Sequence, residues 1–196
     1  MSQITKRALA ASLKKLLQEK PLDKITITDI TDDCGVNRQT FYYHFQDVYD
    51  LIEWIYTSEA SSALNGKKTY DTWQQGFLQI FSYAQENRAF VLATYHSVSR
   101  EHLEMYLFNE TYELLIGVVE EKSAGLSVRS EDKAFIAHFY KYGFVGLMLE
   151  WVRTGMRGDP AAIVERLSTL IDGDIARALK KFASGAPHKS TILSTK

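Results

Sequence analysis

The chain has 196 residues, of which 45% are hydrophobic and 24% charged, an ordinary globular composition with enough length for one or two compact domains. Its net charge of −1 argues against a general binder of polyanions. The single cysteine, Cys34, excludes a disulfide framework within the chain, which fits a reducing cytoplasm. Residues 1–46 hold seven basic and five acidic side chains, whereas the remainder is acidic overall, a distribution that suits a DNA-binding N-terminal part.

Apolar residues recur at helical spacing nearly throughout, so we predict an all-α fold. Leu9, Leu13, Leu16 and Leu17 predict a first helix of about fifteen residues that ends near Lys20. We expect no secretory signal, because residues 1–15 contain no continuous apolar segment. We expect no membrane span either, because the densest apolar stretch, residues 135–152, is short and is interrupted by His138, Lys141 and Glu150. These features favour a cytoplasmic protein.

Residues 25–45 predict a helix-turn-helix, a unit whose second helix lies in the DNA major groove. Thr26 and Asp29 form a pattern close to a capping box at the start of its first helix. Gly35 is suited to end that helix, because left-handed backbone geometry is least costly for glycine. Asn37 can cap the second helix, on which Phe41 and the following Phe45 lie one turn apart.

The remaining surface of the second helix carries hydrogen-bond donors and aromatic rings but no acid. Arg38 can bind guanine through two hydrogen bonds, and Gln39 can bind adenine in the same way. Thr40 and Tyr43 offer a methyl group and a ring to thymine, whereas Tyr42 and His44 are better placed for phosphates. The complete set of candidate DNA-binding residues is Thr28, Asn37, Arg38, Gln39, Thr40, Tyr42, Tyr43 and His44. Lys6 is a further candidate for a phosphate contact.

These residues resemble the TetR family of bacterial transcription regulators. The family pattern of a Thr-started helix, Gly-Val, a short recognition helix and an aromatic block appears here as Thr26, Gly35-Val36 and residues 41–45, followed by Leu51. The resemblance covers about the first quarter of the chain. One departure is Val48, where the family usually has a lysine that meets a phosphate. The backbone amides at the start of that fourth helix can still face a phosphate.

Beyond the helix-turn-helix, the patterns divide the chain into a DNA-binding head (1–46), a helical regulatory and dimerisation body (47–184) and a mobile tail (185–196). Asp47 is suited to cap the fourth helix. After a break at residues 65–68, helical segments are predicted near 71–86, 88–97, 101–123, 131–154 and 160–183. Asp159-Pro160 is a strong helix-start signal.

Two segments of the body are typical of a subunit interface. Residues 135–152 are apolar on nearly all sides, and Gly143 and Gly146 allow another helix to approach closely. The final predicted helix carries apolar residues at spacings of three and four. Both helices could instead fill the core of one subunit, but a four-helix bundle across a twofold axis is favoured. The candidate interface residues are Phe144, Leu147, Trp151, Leu167, Leu170, Ile171 and Ile175.

The body is rich in aromatic residues, which either pack its core or line a ligand cavity. The resemblance implies an effector site in this region. The candidate residues, which combine a ring with a polar tip, are Trp73, Tyr83, Tyr95, His96, Tyr106 and Tyr140. No histidine or cysteine spacing predicts a metal site, and no glycine-rich loop or nucleophile motif predicts a cofactor or an enzyme.

Residues 139–156 are similar to a TetR subgroup that includes the regulator of the dihydroxyacetone kinase operon. The resemblance to the family implies a homodimer on a pseudo-palindromic operator in double-stranded DNA, without membrane association. It favours a repressor that a small-molecule effector releases. The alternative is an activator or adaptor whose body answers a protein partner. An enclosed cavity would favour a metabolite, and a closed interior with an exposed apolar patch would favour a protein.

Overall fold

The computed structural model describes residues 2–60, 72–97, 99–171 and 173–184, and within these ranges the chain is helical, which confirms the predicted all-α fold. None of the helices in these ranges is long and apolar enough to cross a bilayer. The described helices are α1 (Ser2–Leu16), α2 (Ile27–Cys34), α3 (Arg38–His44), α4 (Val48–Ile55), α5 (Trp73–Glu86), α6 (Arg88–Tyr95), α7 (Arg100–Lys122), α8 (Ser130–Arg153), α9 (Pro160–Ile171) and α10 (Asp174–Ser184).

The head is a small helical unit in which α1 packs against α2, α3 and α4. Leu9 and Leu13 of α1, Ile30 of α2 and Phe41 of α3 are completely buried in its core. The hydroxyl of Ser12 donates a buried hydrogen bond of 3.0 Å to the Ile30 carbonyl, which fixes α1 against α2. Because α2 and α3 have only eight and seven residues, they depend on this packing for their stability.

The end of α4 connects the head to the body. Leu51, Ile52 and Ile55 are completely buried, and a π-helical turn at Tyr56–Ala60 follows. The ring of Tyr56 lies 5.0 Å from that of Phe90 and is stacked 5.4 Å from that of Tyr106. The chain that leaves the head is therefore held directly between two helices of the body.

The core of the body is aromatic, and α7 and α8 pack against each other along their length. From α8, the Phe144 ring lies 5.6 Å from Trp73 and 4.7 Å from Phe77, both on α5. The Trp151 ring meets Phe81 of α5 edge-on at 4.9 Å. These contacts lie within one subunit.

Several predicted breaks between helices coincide with observed ones, but the last predicted helix is divided into two. Asn87 separates α5 from α6, and the Asp159 carboxylate accepts the Ala161 amide at 2.9 Å to cap α9. The single helix predicted over residues 160–183 is wrong, because Gly173 adopts a left-handed φ of +73° between α9 and α10. The predicted break at residues 65–68 and the predicted tail, 185–196, lie outside the described residues.

Four of the predicted interface residues lie inside the subunit instead. Phe144, Trp151, Leu167 and Ile175 are each at most 6% exposed in the single chain. Their apolar spacing correctly indicated burial, but spacing alone does not distinguish a neighbouring helix of the same chain from one of a second copy. The remaining three are accessible to different degrees: Leu147 and Leu170 are exposed, and Ile171 is half-buried.

Candidate nucleic-acid interface

The first helix of the helix-turn-helix begins with the predicted capping box. The Thr26 hydroxyl accepts the Asp29 amide at 3.1 Å, and the Asp29 carboxylate accepts the Thr26 amide at 2.7 Å. Lys20 lies 2.9 Å from the same carboxylate. The hydrogen bond from Lys20, followed by those from the Thr26 amide and hydroxyl, lowers the pKa of Asp29 to about 2.

The turn and the start of α3 also follow the sequence prediction. Gly35 ends α2 in the left-handed conformation, with φ of +70°. The Asn37 side chain accepts the Thr40 amide at 2.8 Å and the Thr40 hydroxyl at 2.9 Å. Asn37 and Thr40, both predicted to bind DNA, therefore contact each other, and together they fix the first turn of α3.

The two faces of α3 differ sharply in exposure. Phe41 and the adjoining Phe45 are buried with their rings 5.9 Å apart, whereas Tyr42 and Tyr43 are 52% and 83% exposed. The other predicted contacts vary in exposure: Arg38 and Gln39 of α3, Thr28 of α2 and Asn37 in the turn are exposed, whereas Thr40 and His44 are half-buried. Large aromatic side chains exposed to water on a short, rigid helix are typical of a recognition surface.

Ion pairs within the head leave a cation free on this surface. Lys15 lies 2.5 Å from Asp33, and Lys20 is paired with Asp29. In the described part of the chain, Arg38 has no ion-pair partner. Lys6 lies over the Phe45 ring at 5.2 Å, beside the end of α3. Arg38 can therefore approach a base or phosphate without first breaking an ion pair.

The start of α4 is less available to a phosphate than the sequence suggested. The carboxylate of Asp47 accepts the amides of Tyr49 and Asp50 at 2.8 and 2.9 Å. The expectation that the amides of this helix start face a phosphate therefore does not hold for these two. Asp47 also places an acidic group directly before Val48, the position at which the family usually has a lysine.

The six predicted ligand-binding residues are not gathered into one cavity. Trp73 is buried in the core against Phe144, and Tyr140 is half-buried on α8. Tyr95 is buried beside the exposed His96, which lines an open groove between α6 and the head. The six form two separate close pairs: the Tyr95 ring is 5.1 Å from that of His96, and the Tyr83 ring is 6.1 Å from that of Tyr106.

A cavity that sequence reasoning missed lies between the end of α4 and α7, with Tyr106 as its one predicted member. Its lining residues are Glu53, Tyr56, Thr57, His102, Met105, Tyr106, Asn109 and Glu110. Its signal in the sequence is an acid, Glu110, at helical spacing from Leu103, Tyr106, Leu107 and Leu114, all of which are buried. Among the described residues, no group of three histidine, cysteine or acidic side chains is placed to hold a metal ion.

Comparison with known protein families agrees with this geometry. Residues 9–54 match the family model described as bacterial regulatory proteins of the tetR family, and residues 71–173 match a model of a transcriptional regulator C-terminal region. The chain belongs to the TetR family. It is accordingly a DNA-binding transcription regulator, with the helix-turn-helix of a TetR protein in its head and a helical TetR body.

Individual TetR relatives include both activators and repressors. The chain is 28% identical over 140 residues to the dhaKLM operon transcriptional activator DhaS of Lactococcus lactis, across 70% of this chain and 74% of that protein. A solved structure of the dihydroxyacetone kinase operon activator DhaS superimposes with a TM-score of 0.72 at 23% identity, covering 92% and 99% of the two chains. NalD of Pseudomonas aeruginosa, the secondary repressor of the MexAB-OprM efflux pump, gives a TM-score of 0.58 at 16% identity, covering 91% and 98%.

The lowered pKa of Asp29 predicts that acid weakens the DNA-binding head of this TetR protein. The stabilisation of the folded head by the Asp29 carboxylate is present above the ordinary aspartate pKa and is lost as the pH falls toward about 2. Asp29→Asn should therefore show a smaller loss of stability than the wild type between about pH 4 and pH 2. Urea unfolding across this range measures the difference. Asp32→Asn, at an exposed position of the same helix, is the control, and equal pH dependence in both variants would contradict the assignment.

Proposed function

We propose that the protein is a homodimer that places two copies of α3 in successive major grooves of a pseudo-palindromic operator. The observation that carries this proposal is the exposed face of α3, where Arg38, Gln39, Tyr42 and Tyr43 stand on a helix that contains no acid. Burial of Phe41 on the opposite face supports a rigid presentation of these groups. In this proposal residues 1–46 bind DNA and residues 47–184 dimerise and regulate.

Each side chain of the recognition surface has a proposed role that follows from its chemistry. Arg38 binds guanine and Gln39 binds adenine, because both stand at the N-terminal end of α3, the end that meets base edges in this class of motif. Tyr43, the most exposed ring, contacts a thymine methyl group. Tyr42 and His44, with Thr28 from α2, contact phosphates and set the position of the helix without selecting a sequence.

The proposed dimer interface is the apolar face that α8 leaves uncovered. Phe135, Phe139 and Tyr142 are 64%, 66% and 63% exposed. Gly143 and Gly146 are exposed as well, and a Cβ added to either would meet no atom within 4 Å. A run of large exposed rings on one helix, beside open glycines, supports close packing against the same helix of a second copy. Leu147 extends this face.

The body is proposed to transmit an effector signal to the head through α4. An effector that binds one arrangement of the heads more tightly shifts the population toward it and changes the distance between the two copies of α3. A repressor released in this way is the first candidate. The sequence similarity to DhaS, a transcriptional activator, favours a second candidate, which is an activator. An adaptor whose body responds to a protein partner is the other form of this second candidate. Transcription in vitro from a template with the operator separates them, because a repressor lowers transcript yield and an activator raises it.

Selection of DNA fragments by the pure protein tests the proposal directly. We expect a pseudo-palindromic site to be enriched over random DNA. If the dimer contacts about six phosphates, the logarithm of affinity should fall against the logarithm of salt concentration with a slope of about −5. Fluorescence anisotropy at several salt concentrations measures the slope. Equal affinity for random DNA, or no dependence on salt, would contradict the proposal.

Arg38→Ala and Tyr42→Ala should change DNA binding in different ways. Loss of Arg38 should cost about 1–3 kcal/mol and relax the preference at one base position. Loss of Tyr42 should weaken binding to all sequences by a similar factor, because a phosphate contact carries no base information. Affinities for a panel of single-base operator variants separate the two effects. A changed base preference in Tyr42→Ala would show that this ring reads sequence.

Phe139→Glu should produce a folded monomer with weakened operator binding, because it places a charge in the proposed interface. Leu167→Glu should instead lose helical circular dichroism, since Leu167 is only 6% exposed within its own subunit. Ile4→Glu, on the exposed side of α1, is the control for an added charge and should remain dimeric. Light scattering after size exclusion gives the masses. A Phe139→Glu dimer of normal mass would move the interface away from this face of α8.

A further inference from the structure

The cavity between α4 and α7 is small, and its two walls come from different parts of the fold. Its volume is about 50 Å³, which corresponds to roughly three to five water-sized spheres. One wall comes from α7, where His102, Tyr106 and Glu110 recur at intervals of four residues and so share a face. The other wall comes from the end of α4 and the π-helical turn, which lead to the DNA-binding head.

Glu110 is the least expected residue of this cavity. Its side chain belongs to a residue only 9% exposed, and in the described part of the chain it has no hydrogen-bond or ion-pair partner. A carboxylate is costly to bury without a partner, so acids in such places are ordinarily paired or bind a ligand. Glu53 adds a second carboxylate to the lining, and none of the described lining residues is a lysine or an arginine. The cavity therefore favours a positively charged occupant.

Two further features of the lining suit the same kind of occupant. The Nδ1 atom of His102 is buried and makes no hydrogen bond to the described residues, so it is available to accept one. Burial and the neighbouring charge of Glu110 raise the pKa of Tyr106, so its phenol stays uncharged beside that carboxylate.

We propose that this cavity binds a small molecule carrying a protonated amine, with Glu110 as its ion-pair partner and His102 Nδ1 as a second acceptor. The inference deepens the proposed function, because it gives the chemical class of the effector. A single ammonium group fits better than a divalent metal, since Glu53, His102 and Glu110 line the cavity but no three such side chains of the described residues are placed to hold a metal ion together. The small volume limits the ligand to a few heavy atoms.

Occupation of this cavity acts on the segment that carries the DNA-binding head. Glu53 lies on α4, Thr57 lies in the turn that follows it, and the Thr57 hydroxyl donates to the Glu53 carbonyl at 3.0 Å. An amine held between this segment and Glu110 of α7 prefers one orientation of α4 over others. The ligand therefore changes operator affinity by the ratio of its affinities for the two orientations.

Isothermal titration of the full chain without DNA tests the inference. The probes are n-propylamine and ethanolamine at neutral pH, with n-propanol and ethylene glycol as uncharged counterparts of similar shape. We expect the amines to bind with a Kd of about 1 mM and the alcohols at least about tenfold more weakly. Equal binding of amines and alcohols, or no binding of the amines, would overturn the inference, and neither result depends on whether a variant folds.

Glu110→Gln keeps the shape of the side chain and removes its charge. It should weaken amine binding by at least about tenfold, whereas Glu101→Gln, at an exposed position of α7 outside the cavity, should bind as the wild type does. Unchanged amine binding in Glu110→Gln would overturn the assignment of the ion pair.

Operator affinity with and without amine separates this inference from the proposed function. Specific operator binding in a protein that binds no amine contradicts only the inference. Amine binding without specific operator binding contradicts only the proposed function. A protein that binds both, but with operator affinity unchanged by saturating amine, would overturn the role of the amine as effector.

Discussion

The burial of Phe41 and Phe45 is the interaction on which the DNA-binding surface depends. A helix of seven residues is too short to be stable alone, so α3 exists because these two rings enter the core formed by α1, α2 and α4. The same packing determines which side of α3 faces outward. Arg38 and Tyr43 are exposed because Phe41, which lies between them, and Phe45, which lies beyond them, face inward.

A second constraint joins this head to the rest of the molecule. The α4 helix begins beside the recognition helix. At its other end the chain continues to Tyr56, whose ring is packed between those of Phe90 and Tyr106. Rotation of α4 therefore requires these aromatic contacts to repack. Since packed cores favour discrete arrangements over gradual deformation, the head is expected to switch between a few orientations and not to drift.

The head could be predicted in detail from the sequence because its signals are local. Thr26, Gly35 and Asn37 each fix a helix end through hydrogen bonds or backbone geometry within a few residues of themselves. Less of the body could be predicted, because its residues contact residues that are distant along the chain. Apolar spacing identified Phe144 and Leu167 as buried but not against what, and nothing in the spacing distinguished Gly173 from a glycine tolerated within a helix. The cavity depends on the meeting of α4 with α7, which no local pattern encodes.

The Asp47 cap has a consequence for how the protein would search a genome. Its carboxylate is fixed at the start of α4 by two amides, close in the chain to the end of α3. An ionised group held there repels the phosphodiester chain whatever the base sequence, so it weakens contact with random and chosen sites alike. The ratio of the affinity for the operator to the affinity for random DNA is preserved, while the time spent on each random site becomes shorter. Faster turnover on the wrong sites allows more positions to be sampled before the right one is found.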